Sequence, residues 1–332
     1  MQTKVLVTGA NGFVGRRLCE HLLASGYQVR AAVRNAPVTR AFHSNLQFVS
    51  TGDLVAFDDW QTLLQDVGAV VHLVARTHVT DEFGDAALPA YRALNVDVTR
   101  RLAYACARRG VGHFVLMSSI KAVGNGSNEV YRETTPCRPE DSYGISKLEA
   151  EHCVEEILNP TSCQWTVLRP PLIYGTGVQG NFLRLLKLVQ RGVPLPAITN
   201  ARSMAHVDNV VDATMHCLRY PTNAIYHVAD PDPVSTADLM RYMSKGLGRS
   251  PLLVPVPKAL LAGIGSATGW HEEMKRLVGS LTVSPQKLVQ ELQWQPKVRT
   301  ADGVIMTAGA YASRPWDDEA VRIDQHEWQR AA

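Results

Sequence analysis

Tyr143-Gly-Ile-Ser-Lys147 sets a phenol and an amine four residues apart. On a helix that spacing puts both side chains on one face, one turn from each other. A lysine ammonium beside a phenol favours phenolate and lowers the tyrosine pKa, making an acid or base usable near neutral pH. On a solvated helix face the same pair does nothing, so its surroundings decide. Upstream, Ser118-Ser119 closes an apolar run. A hydroxyl there can hydrogen-bond a carbonyl or alkoxide oxygen while the tyrosine moves the proton. A second group lies near the beginning of the chain, Gly9-Ala-Asn11-Gly12-Phe13-Val14-Gly15, directly after the apolar run Lys4–Thr8. Gly9 permits a tight turn, Gly12 lets the backbone approach a pyrophosphate, and Gly15 lets helix and strand pack closely. The anion then rests on the free N–H groups and positive dipole end of the helix that follows. A dinucleotide and a proton-transfer set together mean hydride chemistry.

The end of the second strand selects the dinucleotide. An acid there bonds the ribose hydroxyls of NAD, whereas an arginine accommodates the 2′-phosphate of NADP. Val29-Arg-Ala-Ala-Val-Arg34 carries no acid, and the next is Asp53. Arg34 is suited to a bidentate phosphate contact, so NADP(H) is favoured over NAD(H), with a solvated surface arginine as the alternative. Asp53-Leu54 follows the third strand, where the carboxylate accepts from the adenine amino group or caps a helix.

These residues need a frame. Apolar runs at 4–8, 27–33, 46–50, 69–74, 112–118 and 164–169 read as strands, and periodic segments at 13–24, 58–64, 88–109 and 142–158 as helices. Strands alternating with helices mean right-handed crossovers and an α/β fold, a doubly wound parallel sheet of the Rossmann type. After Pro170-Pro171 the texture loosens and prolines become frequent. Residues 1–174 plus about 204–230, a strand, helix and strand, are therefore expected to form the dinucleotide domain. About 175–203 and 231–315 then form a smaller substrate domain, with 316–332 as a tail.

Composition excludes several classes. Thirty-four Lys+Arg against 31 Asp+Glu leaves a charge of +3, too little for a nucleic-acid partner. No run approaches the ~18 apolar residues of a membrane span, and the beginning of the chain does not read as a signal peptide. The six cysteines lie singly and are expected to be reduced. No metal ligand set is assigned. The expectation is a cytoplasmic enzyme.

With these pieces in order, the chain resembles the extended short-chain dehydrogenase/reductases of the NAD-dependent epimerase/dehydratase family. Thr8–Gly15, Gly52-Asp-Leu54, His72-Leu-Val-Ala75, Asn95, Ser118-Ser119, Tyr143-x-x-x-Lys147, Arg169-Pro-Pro-Leu-Ile-Tyr-Gly175 and His206-Val-Asp-Asn209 match over about 3–213. The resemblance implies that Tyr143 is the acid/base and that Lys147 holds the nicotinamide ribose and tunes Tyr143. Alignment on Gly124 makes Ser119 the catalytic hydroxyl. By the same resemblance Asn95 supports the site's backbone, while Val74, Ala75 and Pro170 line the cofactor. Lys121, in the serine loop, departs from the family pattern; it reaches the sugar or is solvated. Asn181 lies at the start of an expected helix, Phe182 to Arg191, where the family places a contact to the sugar diphosphate. Arg202 and Arg276 match arginines that similar enzymes use on the nucleotide diphosphate. His72 and His206 are expected to be bonded locally.

The details narrow the likeness to a bacterial subgroup of O-antigen and surface-polysaccharide clusters acting on UDP-sugars. Three readings follow. The first is reduction of the C4 keto group of UDP-4-keto-6-deoxy-N-acetylglucosamine to UDP-N-acetylquinovosamine, favoured by Arg34. The second is a UDP-hexose 4-epimerase that retains NAD, and the third a non-catalytic dinucleotide-sensing relative. By analogy the protein is a homodimer through the two long helices.

Overall fold

Short apolar runs that stop at glycine or at a polar residue form the strands of one sheet. The computed structural model describes residues 3–35, 43–77, 87–256 and 278–317. Strands β1 (Lys4–Thr8), β2 (Gln28–Val33), β3 (Leu46–Ser50), β4 (Ala69–His72), β5 (His113–Met117), β7 (Gln164–Arg169) and β11 (Ala224–His227) build a seven-stranded sheet in the order β11-β7-β5-β4-β1-β2-β3. Every neighbouring pair is parallel. The order reverses between β1 and β4, and open α/β sheets bind ligands at such a switch point, beyond the carboxyl ends of the strands.

Helices cover both faces, which is why the strands read as near-continuous apolar runs. Val5 and Val7 of β1 pack with Leu18 and Leu22 of α1 (Phe13–Ala24) and Val210 and Val211 of α7 (Val207–Arg219). Leu6, pointing the other way, packs with Leu102 of α4 (Val98–Arg109) and Ala150 and Val154 of α5 (Ser142–Leu158). A further core joins Tyr174, Phe182, Leu186, Met243 and Val304, drawn from β8 (Leu172–Tyr174), α6 (Gly180–Gln190), α8 (Thr236–Gly246) and the last helix, Thr300–Ser313. Buried Asp230 ties these parts: it accepts from Tyr174 Oη, His206 N and Asn209 Nδ2 at 2.7–2.8 Å. Burial raises its pKa to about 6.

The expected fold class holds, and its elements differ in detail. The helix expected over 88–109 is three pieces: α3 (Leu88–Arg92), a π-turn (Ala93–Asp97) and α4. The helix expected over 58–64 is one turn, Trp60–Leu63. β4 ends at His72, not at 74. The strand expected from 204 is Met204–His206, which leaves the main sheet and pairs with β8, so only β11 returns to that sheet. α6 begins two residues before Phe182. In the polar tail Trp316 is docked, donating to the Val178 carbonyl at 3.0 Å. The six cysteines are free. Among the described residues no helix is long and apolar enough to cross a membrane.

Candidate active site

The Gly-rich turn sits where β1 hands over to α1. Gly9 adopts φ +68°, a conformation costly to other residues. A Cβ on Gly15 would lie 2.2 Å from the Gly9 carbonyl oxygen, so only glycine lets α1 begin this close to the strand. Gly12 N donates to that same oxygen at 2.9 Å. Side chains cap the amino ends of α5, α7 and α8, yet α1 has no side-chain cap and no acid in its first turn. Its N–H groups are left for an external anion, and the half-buried Asn11, Phe13 and Val14 surround them. Val74 completes the wall, since its Cγ2 would be 3.2 Å from a Cβ on Gly9. These residues fit a dinucleotide pyrophosphate.

Asn95 fixes the neighbouring backbone. Its Oδ1 accepts from Arg76 N at 2.7 Å, and its Nδ2 donates to Arg76 O at 3.1 Å and to Ser146 Oγ at 2.9 Å. One amide thus ties the segment leaving β4, with Val74 and Ala75, to α5. The π-turn at this position supplies the extra residue that turns Asn95 inward, a common device at functional sites.

The end of β5 separates the two serines. Ser118 points into the protein, where its hydroxyl donates to Glu151. Ser119 points outward and is the hydrogen-bond partner of Tyr143. Lys121 N donates to Ser119 Oγ at 3.3 Å, and Ile120 N donates to the carbonyl of buried Pro170 at 2.9 Å, holding the loop in place. Lys147 is buried and its Nζ donates to Met117 O at 2.6 Å. Burial lowers its pKa to about 8, opposed by the Glu151 carboxylate. Tyr143 stands half-buried above it.

Here the sequence expectation needs revision. Burial pushes Tyr143 up to about 12, opposed chiefly by the Ser119 hydrogen bond. The lysine is aimed at a carbonyl beneath the tyrosine, so it is Ser119 that eases the phenol's ionisation in this geometry. Lys121 is partly exposed and paired. It forms a 2.6 Å ion pair with Asp141, the residue whose other oxygen caps α5 at Gly144 N. His72, as expected, is bonded locally, between Thr8 Oγ1 at 2.7 Å and Thr99 Oγ1 at 3.1 Å. His206 caps α7.

The outer residues are less enclosed. Arg34 is exposed just past β2, and its guanidinium has no partner among the described residues. Arg30, four residues earlier, is instead buried and bonded to Gln47 and to the carbonyls of Thr62, Leu63 and Gln65. Asp53 is exposed and caps only its own turn, accepting from Val55 N at 3.0 Å, while Leu54 is buried. Asn181 is exposed at the start of α6. Arg202 is half-buried and donates to Gly279 O at 3.1 Å. Arg276 lies outside the described residues. Missed from the sequence was the buried pair of Glu151 and Arg169, whose shortest contact is 2.5 Å. The signal existed: Tyr143, Lys147 and Glu151 repeat at four residues, and a second charged residue follows Lys147 on the buried face of the helix.

The family described as Epimerase, the NAD dependent epimerase/dehydratase family, matches residues 5–229, which span the glycine turn, Ser119 and the Tyr143–Lys147 pair. The chain belongs to this family. It is 35% identical over 319 residues to the UDP-glucose 4-epimerase of Vibrio cholerae, covering 94% of this chain and 96% of that one. It is 29% identical over 273 residues to the N-acetyl-alpha-D-glucosaminyl-diphospho-ditrans,octacis-undecaprenol 4-epimerase of Escherichia coli O157:H7, covering 79% and 78%. The solved structure of MoeE5 in complex with UDP-glucose and NAD shares the fold with a TM-score of 0.74 at 25% identity, over 93% of this chain and 99% of that one. The protein is thus an enzyme of the NAD-dependent epimerase/dehydratase type on a Rossmann sheet.

Proposed function

We propose that the protein is a UDP-hexose 4-epimerase that keeps a nicotinamide dinucleotide bound through turnover. The observation that carries this reading is the Ser119–Tyr143 pair at the carboxyl end of β5, backed by Lys147, in a chain 35% identical to a UDP-glucose 4-epimerase along 94% of its length. In this reading Gly9, Asn11, Gly12, Phe13, Val14 and Gly15 hold the pyrophosphate, Asp53 and Leu54 the adenine end, and Val74, Ala75, Asn95, Lys147 and Pro170 the nicotinamide end. A bound dinucleotide would supply the hydride acceptor and donor for C4 of the sugar. Tyr143 takes the proton of the C4 hydroxyl and later returns it to the same oxygen. Ser119 hydrogen-bonds that oxygen throughout, so charge developing on it meets a donor already in place. Lys147, fixed by Met117 O, holds the nicotinamide ribose. The sugar nucleotide occupies the part built from about 175–203 and 231–315, with Asn181, Arg202 and Arg276 towards its diphosphate. Lys121, partly exposed beside the serine loop and braced by Asp141, faces the sugar.

A second reading is kept by one observation: Arg34, with no acid at the end of β2. It favours NADP(H) and hence a 4-keto-sugar reductase, which exchanges its cofactor at every turnover and serves surface-polysaccharide synthesis. Two assays separate the readings. An epimerase releases about one equivalent of NAD on denaturation and interconverts UDP-glucose with UDP-galactose, or their N-acetyl forms, without added cofactor. Empty protein that steadily oxidises NADPH with UDP-4-keto-6-deoxy-N-acetylglucosamine would instead establish the reductase.

A further inference from the structure

Three consecutive residues at the end of β5 dock onto three successive turns of α5. Ser119 meets Tyr143, Met117 O receives Lys147 Nζ, and Ser118 donates to Glu151. The first two contacts belong to the site described above; the third is unassigned. Glu151 is 2% exposed, and its carboxylate takes the guanidinium of Arg169 through three contacts of 3.0, 3.1 and 2.5 Å. Arg169 ends β7, whose Leu168 O receives Ser118 N at 2.8 Å and whose next residue, Pro170, receives Ile120 N. The pair therefore grips the serine segment from both sides, at its side chain and at its backbone.

We propose that Glu151, with Arg169 as its counter-ion, is a positioning residue for the Ser119–Tyr143–Lys147 set, holding the β5 end in register with α5 and providing the negative field under the lysine. The proposal rests on the reading of that set as the proton-transfer site. Mere support would not require a charge. A buried ion pair adds little stability compared with apolar residues of the same size, so the electrostatic consequence is the informative one. Lys147 sits in a dry, apolar setting that disfavours its ammonium form, and Glu151 is the carboxylate that opposes this.

His152, Glu155 and Glu156 of α5 are exposed, and the charged groups facing α5 from neighbouring elements are engaged elsewhere. Arg92 of α3 pairs with Glu149, Arg100 of α4 pairs with Asp97 of the π-turn and contacts Cys153, and Lys121 pairs with Asp141. His72 of β4 and His227 of β11 are buried, and burial holds both neutral. Cys137 touches Arg169, not the lysine.

The test uses the full-length protein and two variants. Glu151→Gln keeps the shape and removes the charge, though it leaves Arg169 buried and unpaired. Glu151→Met/Arg169→Met removes both charges and keeps the volume. For each, the pH dependence of NADH affinity is measured by fluorescence, beside that of epimerisation and a thermal melt. The binding readout does not depend on which sugar is the substrate, so loss of sugar turnover in every protein, wild type included, would count against the proposed function alone. Without the carboxylate, Lys147 loses its proton sooner. The alkaline limb of NADH binding should therefore move towards acid by roughly one pH unit in any variant that folds. A double variant that melts like wild type and keeps the wild-type limb would overturn the proposal.

Discussion

The two ends of the dinucleotide site are built in opposite ways. At the inner end, Ser119, Tyr143 and Lys147 stand on side chains that are themselves buried and bonded: Asn95, His72, Glu151 and Arg169 are at most 3% exposed and each has partners on another element. At the outer end, the side chains of Arg34 and Asp53 are exposed and, among the described residues, bonded to nothing beyond their own turn. Proton transfer requires donors and acceptors held within tenths of an ångström, so the inner end is fixed before any ligand arrives. Choice between two dinucleotides requires only a charge within reach of one phosphate, and a surface arginine is sufficient. Changes at the inner end should therefore act on rate and fold, and changes at the outer end on cofactor preference.

The largest effect should come from the inner end. Tyr143→Phe removes the single hydroxyl able to move the proton while keeping the ring beside Tyr91, 6.3 Å away between centroids. Turnover should fall at least ~100-fold, with NAD(H) affinity within about twofold of wild type by titration. Turnover comparable to wild type would remove Tyr143 from the mechanism.

The inner end was also the more legible in sequence, up to a point. Spacing alone put Tyr143 and Lys147 on one face, and the glycines after a strand marked the phosphate turn. What the sequence could not display were partners distant in the chain. Lys121 meets Asp141 twenty residues on and Glu151 meets Arg169 eighteen residues on, each across separate elements. Residue type does not separate Ser118 from Ser119; the alternation of an extended strand end does, turning one inward to Glu151 and the other outward to Tyr143. Burial in mid-strand, and bonds to a neighbouring turn, make Arg30 a structural clamp. The π-turn has no spacing signature of its own, so 88–109 read as one helix. Strands too short to carry a pattern, such as Met204–His206, gave no hint of which partner they would take.

A smaller effect tests whether the inner end is held by a neutral histidine. His72 is fully buried between two threonines, and burial lowers its pKa to about 3. The unfolded chain binds a proton there near pH 6.5, the folded one does not. The stability gained from a neutral His72 is thus complete above pH 6.5 and is lost as pH falls towards 3, at up to about 1.4 kcal/mol per unit. Asp230, raised to about 6, works in the opposite sense, so the comparison is made against a variant. Between pH 6.5 and 5, urea unfolding of wild type should weaken about 2 kcal/mol more than that of His72→Gln. Parallel slopes for the two proteins would show that the ring accepts its proton without cost.

The smallest effect belongs to the outer end. The Arg34 side chain has no partner among the described residues, so Arg34→Ala should leave the melting temperature unchanged. An exposed arginine on a solvated phosphate contributes on the order of 1 kcal/mol, so NADPH affinity should weaken roughly fivefold and NADH affinity should not move. The contrast between the two cofactors carries the test, because the adenine and pyrophosphate contacts are common to both. Added salt should shrink the wild-type preference in the same direction as the substitution, since an exposed pair is screened whereas the buried inner end is not. Equal weakening of both dinucleotides would place Arg34 on the shared part of the cofactor. The missing acid at the end of β2 would then be the only remaining indication for NADP(H), and the balance would move to the retained-NAD epimerase.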